Sequence, residues 1–115
     1  MNSPICINVG GVFFWTSAHT LSRENTFFSG LVHTLEFHSE TDPYISTLLI
    51  DRDPTHFRVV LNWLRGVRCL PEDFGTLEEL FYEADFYCIE SMKAAIQRKN
   101  ANVYPSVQRN RNDSP

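Results

Sequence analysis

The segment from Leu49 to Gly66 constrains the fold of this chain more than any other stretch. The apolar residues 48–50 are typical of a buried strand, and a charged turn follows them. Asp53 stands where a helix N-cap is expected, because Pro54 suits the first helical position. Gly66 is a typical residue at which a helix ends. The segment therefore predicts strand, turn and helix in that order, and the positions expected on the buried helix face are Phe57, Val60, Leu61 and Leu64.

Composition limits the classes of protein to which the chain can belong. A length of 115 residues leaves room for one domain, and 43% hydrophobic residues are enough to bury a core. The formal net charge of −4 argues against a nucleic-acid partner, which usually binds a basic face. No apolar run approaches the roughly 18 residues that cross a bilayer, so no membrane segment is expected. The three cysteines show no short-range pairing pattern, which favours reduced thiols in the cytoplasm or, alternatively, the nucleus.

A β-hairpin is predicted at the start of the chain. Residues 5–9 alternate between two side-chain sets, which indicates a strand with one buried face. The pair Gly10-Gly11 supplies the positive φ angles that a tight hairpin turn needs. The return strand is predicted at 12–17, and its side chains expected to face the core are Val12, Phe14 and Thr16.

The remaining elements are predicted to be helical, apart from a third strand at 44–50. Ser17 can cap a short helix through Leu21, and a second helix is expected at 24–33 with a loop after it. Thr76 and Glu79 form a capping-box signature for a fourth helix. A fifth helix is expected to present to the core Ile89, Met92 and Ile96.

This order of elements predicts an α+β fold with helices packed on a small sheet. The domain is expected to span residues 4–98. From 99 to 115 the composition shifts towards Asn, Arg, Ser and Pro, which predicts a disordered tail.

Five short motifs occur in the order found in one known family: Ile-Asn-Val-Gly-Gly at 7–11, Thr-Leu at 20–21, Ile-Asp-Arg-Asp-Pro at 50–54, Leu-Asn-Trp-Leu-Arg at 61–65 and Glu-Ala-Asp-Phe-Tyr at 83–87. Over residues 4–98 the chain resembles the BTB/POZ domain of the potassium-channel tetramerisation (T1) type, as in KCTD-like proteins. The resemblance implies a three-stranded sheet with about five helices. It also implies homo-oligomerisation in a ring of about four or five subunits, built from heterologous contacts. The alternative that it implies is an adaptor docking a cullin-3 ubiquitin ligase scaffold, and related BTB-domain proteins are further possible partners.

The charged turn Asp51, Arg52 and Asp53 is the candidate oligomer interface. The resemblance places this turn near the contact between subunits, where charged pairs fix register more than affinity. The simpler alternative is that these side chains cap the neighbouring helix or are solvated.

A separate partner surface is predicted from aromatic and basic residues. Phe13 and Trp15 lie on the same side of the return strand and can form a patch for a partner, unless a helix or the tail covers them. A cullin-3 scaffold would dock on the outer face of the third helix and the loop after it. The candidate residues there are Arg58, Asn62, Arg65 and Arg68.

Neither an enzyme nor a metal or cofactor site is expected. Asp51 and Asp53 lack a third ligand or a nucleophile at motif spacing. The four histidines and three cysteines do not show the spacing of a zinc site. Cys88 is expected to be a small core residue.

Overall fold

The computed structural model describes residues 4–38 and 46–103. Three strands and five helices occur in these ranges, so the predicted α+β class is confirmed. In chain order they are β1 (Pro4–Val9), β2 (Val12–Ser17), α1 (Ala18–Leu21), α2 (Phe27–His38), β3 (Ser46–Ile50), α3 (Phe57–Arg65), α4 (Phe74–Phe86) and α5 (Glu90–Val103).

The first strand lies at the centre of the sheet, whose order is β2-β1-β3. β1 pairs antiparallel with β2 through the predicted two-residue turn, and parallel with β3. Gly10 and Gly11 have φ angles of 55° and 100°, as a tight hairpin turn of this kind requires. The Gly10 N–H donates to the Ile50 carbonyl at 2.9 Å, and a Cβ on Gly10 would overlap the Arg52 carbonyl oxygen. The tip of the hairpin is thus packed directly against the chain that leaves β3.

The core forms where the buried face of β1 meets α3, α4 and α5. Every position predicted on the inner face of α3 is buried, and Trp63 is buried as well. An aromatic cluster fills the space between α2, α3 and the end of α4, with Phe28 stacked on Tyr87 at 5.0 Å between ring centroids. The fully buried large side chains are Ile7, Leu21, Phe28, Phe57, Leu61, Leu64, Leu77, Leu80, Tyr87, Ile89, Met92 and Ile96.

The inward side of β2 is less buried than predicted. Phe14 packs against Phe57 with ring centroids 4.8 Å apart, and Thr16 is half-buried. Val12, however, is 46% exposed. Val12 adjoins the hairpin turn and lines an open groove with Phe14 and Leu61, so it is not buried in the core.

The first turn of α3 differs from the prediction. The helix begins at Phe57 rather than at Pro54, and His56 takes the N-cap position without a side-chain cap bond. Asp53 instead closes a turn of its own, since its Oδ1 accepts from the Thr55 N–H at 2.9 Å. The predicted end is confirmed: Gly66 has φ 98° and its N–H donates to the Trp63 carbonyl at 3.0 Å.

The helix α2 begins and ends later than the predicted 24–33. Thr26 and Ser29 cap it reciprocally: Thr26 Oγ1 accepts from the Phe28 N–H, and Ser29 Oγ accepts from the Thr26 N–H. The helix then continues to His38, into the expected loop. Residues 39–45, with the rest of that loop and the first two residues predicted for the third strand, lie outside the described residues.

Both ends of α4 also correct the sequence-based expectations. The N-cap is Asp73 rather than Thr76, because Asp73 Oδ2 accepts from the Thr76 N–H and hydroxyl at 2.8 Å. Cys88, expected in the core, is exposed with a φ of 58°. This left-handed residue follows the helix and lets the Ile89 N–H reach the Ala84 carbonyl, which leaves the thiol facing outwards.

The last helix extends beyond the predicted domain boundary. α5 runs to Val103, so residues 99–103 are helical rather than part of a tail. The expected disorder of 104–115 concerns residues outside those described. No helix within 4–38 and 46–103 has the length and apolar character needed to cross a membrane.

Candidate functional site

A groove of about 510 Å³ lies between β2 and α3. It brings together four of the six residues predicted as a partner surface, although they come from two separate segments of the chain. The residues that line it are Val12, Phe13, Phe14, Trp15, Pro54, Thr55, Arg58, Leu61 and Arg65. We call it the β2–α3 groove.

The aromatic side of the groove is formed by the edge strand β2. Phe13 and Trp15 are 61% and 52% exposed, respectively. They lie two residues apart and therefore on the same face of the strand. The predicted alternative, that a helix covers them, does not hold among the described residues. The other predicted alternative, that the tail covers them, involves residues 104–115, which lie outside the described residues.

The basic side of the groove is formed by the outer face of α3. Arg58 and Arg65 are exposed there. Arg65 Nη2 donates to the Trp15 carbonyl at 2.7 Å, and its Nη1 donates to Asn62 Oδ1 at 3.1 Å. Asn62 is thus half-buried and positions Arg65 instead of lining the groove.

Arg68 is not part of the groove. Its Nη2 lies 2.7 Å from Glu24 Oε1, and its guanidinium stacks over the Trp63 ring at 4.7 Å. The Ser91 hydroxyl donates to the other Glu24 oxygen and accepts from Trp63 Nε1 at 2.9 Å. Because Gly66 ends α3 and turns the chain, Arg68 joins this network of α3, α5 and the segment before α2.

The three residues of the charged turn have different surroundings. Arg52 makes a bidentate ion pair with Glu83 of α4, with Nη2–Oε2 at 2.7 Å and Nε–Oε1 at 3.1 Å. Its guanidinium also lies 4.1 Å from the centroid of the Phe86 ring. The hydrogen bonds that Arg52 donates to Glu83 raise the pKa of Arg52, so its charge is fixed. Asp51 is exposed, and the hydrogen bonds from Thr55 lower the pKa of Asp53.

Sequence patterns missed an exposed aromatic surface on α4. Tyr82 is 61% exposed, and Phe86, one turn further on, is 40% exposed beneath Arg52. The signal was present in the sequence, because these aromatics fall outside the buried positions Leu77, Leu80 and Ala84 of the same helix. We call Asp51–Asp53 with Tyr82 and Phe86 the turn–α4 surface.

The chemistry that these two surfaces offer is stacking, apolar contact and ionic hydrogen bonding. Among the described residues, no group of three or more His, Cys, Asp or Glu side chains is arranged to hold a metal ion. The cysteines are free thiols, with Cys6 buried and Cys69 exposed. His56 Nε2 lies 2.7 Å from Glu79 Oε1, at the rim of α3 and α4.

Comparison with known proteins relates this fold to one family. The model of the BTB/POZ domain family matches residues 5–96. The chain is 36% identical over 104 residues to human BTB/POZ domain-containing protein KCTD21, covering 90% of this chain and 40% of that protein. It is 44% identical over 85 residues to human BTB/POZ domain-containing protein KCTD17, covering 72% of this chain and 26% of that protein.

A third relative is the BTB/POZ domain-containing adapter for CUL3-mediated RhoA degradation protein 2 of Xenopus tropicalis. It is 35% identical over 115 residues, covering 92% of this chain and 34% of that protein. The chain therefore spans 40% or less of the length of these curated relatives.

Proposed function

Because the chain belongs to the BTB/POZ domain family of the T1 type, we propose that it acts as a non-enzymatic protein–protein interaction module whose chief activity is homo-oligomerisation. The proposed assembly is a ring of about four or five subunits, closed by heterologous contacts.

The observation that carries the oligomer proposal is the continuity of the turn–α4 surface. Arg52 stacks on Phe86, so the charged turn and the exposed aromatics of α4 form one surface. A surface that mixes exposed aromatic rings with charged groups at its edge has the composition of a subunit contact. Within it, Asp51 and Asp53 are the groups available to a neighbouring subunit, while Arg52 already pairs with Glu83.

Size-exclusion chromatography with light scattering tests this proposal. The wild-type chain, of 13.3 kDa, is expected to elute at the mass of several subunits. Tyr82→Ser and Asp51→Lys are each expected to lower that mass. Val67→Ser is the matched control, because Val67 is also exposed, at 54%, but lies outside the surface. A wild-type mass of one subunit up to high micromolar concentration would contradict oligomerisation. Unchanged masses for both variants would reject only the surface.

Docking of a cullin-3 scaffold is the second candidate function. It is favoured by the similarity to a relative named as an adapter for CUL3-mediated RhoA degradation, together with the exposed basic face of α3. A pull-down with purified cullin-3 separates the two functions, since an oligomer that fails to capture cullin-3 retains only the first. Arg58→Ala is expected to reduce capture, while Arg98→Ala, an exposed position on α5, should not.

We also propose that the chain works in a reducing compartment, the cytoplasm in the first instance. Its described cysteines are free, and Cys69 and Cys88 are exposed. Exposed thiols of this kind persist where glutathione and thioredoxin keep them reduced.

A further inference from the structure

The two arginines of the β2–α3 groove differ in their partners from four other cationic groups among the described residues. Arg52, Arg68, Lys93 and Lys99 each lie within ion-pair distance of a carboxylate. Among the described side chains, Arg58 and Arg65 have no carboxylate at that distance, and the partners of Arg65 are neutral oxygens. Arg23, whose Nη1 donates to the Arg65 carbonyl, adds a third positive charge nearby. A chain with a net charge of −4 therefore carries a local positive site at this groove.

The groove also runs along an open sheet edge. β2 is an outer strand, and its two-residue turn makes Val9 and Val12 a hydrogen-bonded pair. Hydrogen-bonded and non-bonded pairs alternate in an antiparallel ladder, so the backbone groups of Phe13 and Trp15 point away from β1. The bond from Arg65 to the Trp15 carbonyl agrees with this direction. The edge therefore presents the main-chain N–H groups of Phe13 and Trp15 and the Phe13 carbonyl beside the exposed aromatic rings, while the Trp15 carbonyl accepts from Arg65.

We propose that the β2–α3 groove binds an extended acidic segment of a partner protein. The segment lies along the edge of β2 as an added strand, which gives affinity through main-chain hydrogen bonds. Its carboxylates meet Arg58 and Arg65, for which charge-assisted hydrogen bonds are available. An apolar side chain of the segment packs on Phe13 and Trp15.

The composition of the groove selects this occupant over others. A volume of about 510 Å³ lies within the range of ligand clefts, and the floor includes the apolar side chains of Phe14 and Leu61. A small inorganic anion would use the guanidinium groups but not the aromatic rings. An extended acidic segment uses the guanidinium charges, the rings and the strand edge together. The groove shares no residue with the turn–α4 surface.

Fluorescence anisotropy with a labelled peptide tests the proposal. The probe is a fluorescein-labelled peptide in which glutamate alternates with leucine, and the control probe carries glutamine in place of glutamate. The wild-type chain is expected to bind the glutamate peptide saturably. Its Kd for the glutamine peptide is expected to be higher by about tenfold or more. Saturable binding of both peptides with equal affinity, or of neither, overturns the proposal.

Matched variants assign the binding to the groove. Arg58→Glu should lower the affinity for the glutamate peptide by about tenfold or more. Arg98→Glu makes the same charge change on α5 and should alter this affinity by less than about twofold. Equal losses of affinity in the two variants would mean that the peptide responds to the overall charge of the chain, and would reject the groove as its binding site. Thermal melting checks that both variants fold, and Arg58→Gln provides a milder substitution with an intermediate loss expected.

Two further measurements distinguish a bound peptide from other occupants of the groove. Trp15 is exposed while Trp63 is buried, so a blue shift of tryptophan emission on peptide addition is expected from Trp15 and should be absent in Trp15→Phe. Light scattering without peptide is expected to give the same mass for Arg58→Glu and wild type. A lower mass for Arg58→Glu would show that a second copy of the chain fills the groove, and would overturn the peptide assignment.

Discussion

The turn–α4 surface and the β2–α3 groove use the same residue types in opposite ways. Both combine arginine with exposed aromatic rings. In the first, Arg52 is held by Glu83 and lies flat on Phe86, so its hydrogen-bonding capacity is largely used within the chain. In the second, Arg58 has no carboxylate partner among the described side chains. An arginine therefore indicates a binding surface only when the fold has left its charge without a partner.

The difference has a topological cause. Glu83 of α4 reaches Arg52 in the turn that follows β3, whereas the β2 side chains that line the groove with Arg58 are apolar. A partly buried ion pair stabilises the fold. An exposed and unpaired charge costs little folding free energy and remains available to a ligand. The two arginines should consequently respond differently to substitution.

Truncating the floor of the groove should have the largest effect on folding. Leu61→Ala removes a fully buried side chain and leaves a cavity, so we expect the free energy of unfolding to fall by about 2–5 kcal/mol. Arg58→Ala, on the outer face of the same helix, should change it by less than about 0.5 kcal/mol. Urea denaturation measures both values. Equal losses would mean that the rim of the groove belongs to the core.

Removing Arg52 should have the next largest effect. Arg52→Ala leaves the mostly buried Glu83 carboxylate without its partner and removes the ring contact, so we expect a loss of about 1–2 kcal/mol. Substitution of Arg52 is thus expected to affect the stability of the fold as well as assembly. A double-mutant cycle with Glu83→Gln should give a coupling free energy of about 1 kcal/mol. A coupling near zero would place Arg52 with Arg58, and the contrast between the two surfaces would disappear.

A gain in stability is expected at the end of α4. Cys88→Gly relieves the cost of a side chain in the left-handed region, which exceeds the entropy cost of glycine, so the free energy of unfolding should rise by about 0.5–1 kcal/mol. Cys88→Ala keeps the Cβ and serves as the control, with no gain expected. Equal thermal shifts for the two variants would assign the effect to the thiol and not to the backbone.

The smallest effect at neutral pH is expected for Tyr87, which packs behind the Arg52–Glu83 pair. Burial, and then the charge of Glu83, raises the pKa of Tyr87. The folded chain therefore keeps this proton at a pH where the unfolded chain releases it, and stability should fall as pH rises above about 10. Tyr87→Phe should reduce this alkaline loss, whereas Tyr82→Phe, at an exposed position, should not. Parallel alkaline profiles in urea denaturation for wild type and Tyr87→Phe would contradict the assignment.

Local signals were sufficient for much of the fold. The glycine pair at 10–11 and the alternation around it predicted the hairpin, and the apolar spacing of residues 57–64 predicted the inner face of α3. Helix starts were not predictable to the residue, because several Ser, Thr and Asp side chains near each start can act as caps. At α3 the turn of Asp53 and Thr55 comes first, and the helix follows it.

The candidate site was predictable residue by residue but not as an arrangement. Exposed aromatics on β2 and basic residues on α3 followed from periodicity, yet their meeting depends on a sheet edge packing beside a helix many residues away. The pairs of Arg52 with Glu83 and Arg68 with Glu24 are long-range in the same sense, so no local pattern distinguished these arginines from Arg58.

The central position of β1 also has a consequence for the order of folding. Its parallel partner β3 lies about forty residues further along the chain, so completing the sheet requires closure of a long loop at an entropic cost. A ladder of such high contact order forms late and slows folding. During synthesis, the hairpin of β1 and β2 must wait with both edges open until Ile50 has left the ribosome. In that interval the open edges of the nascent hairpin are exposed to pairing with another copy of the chain.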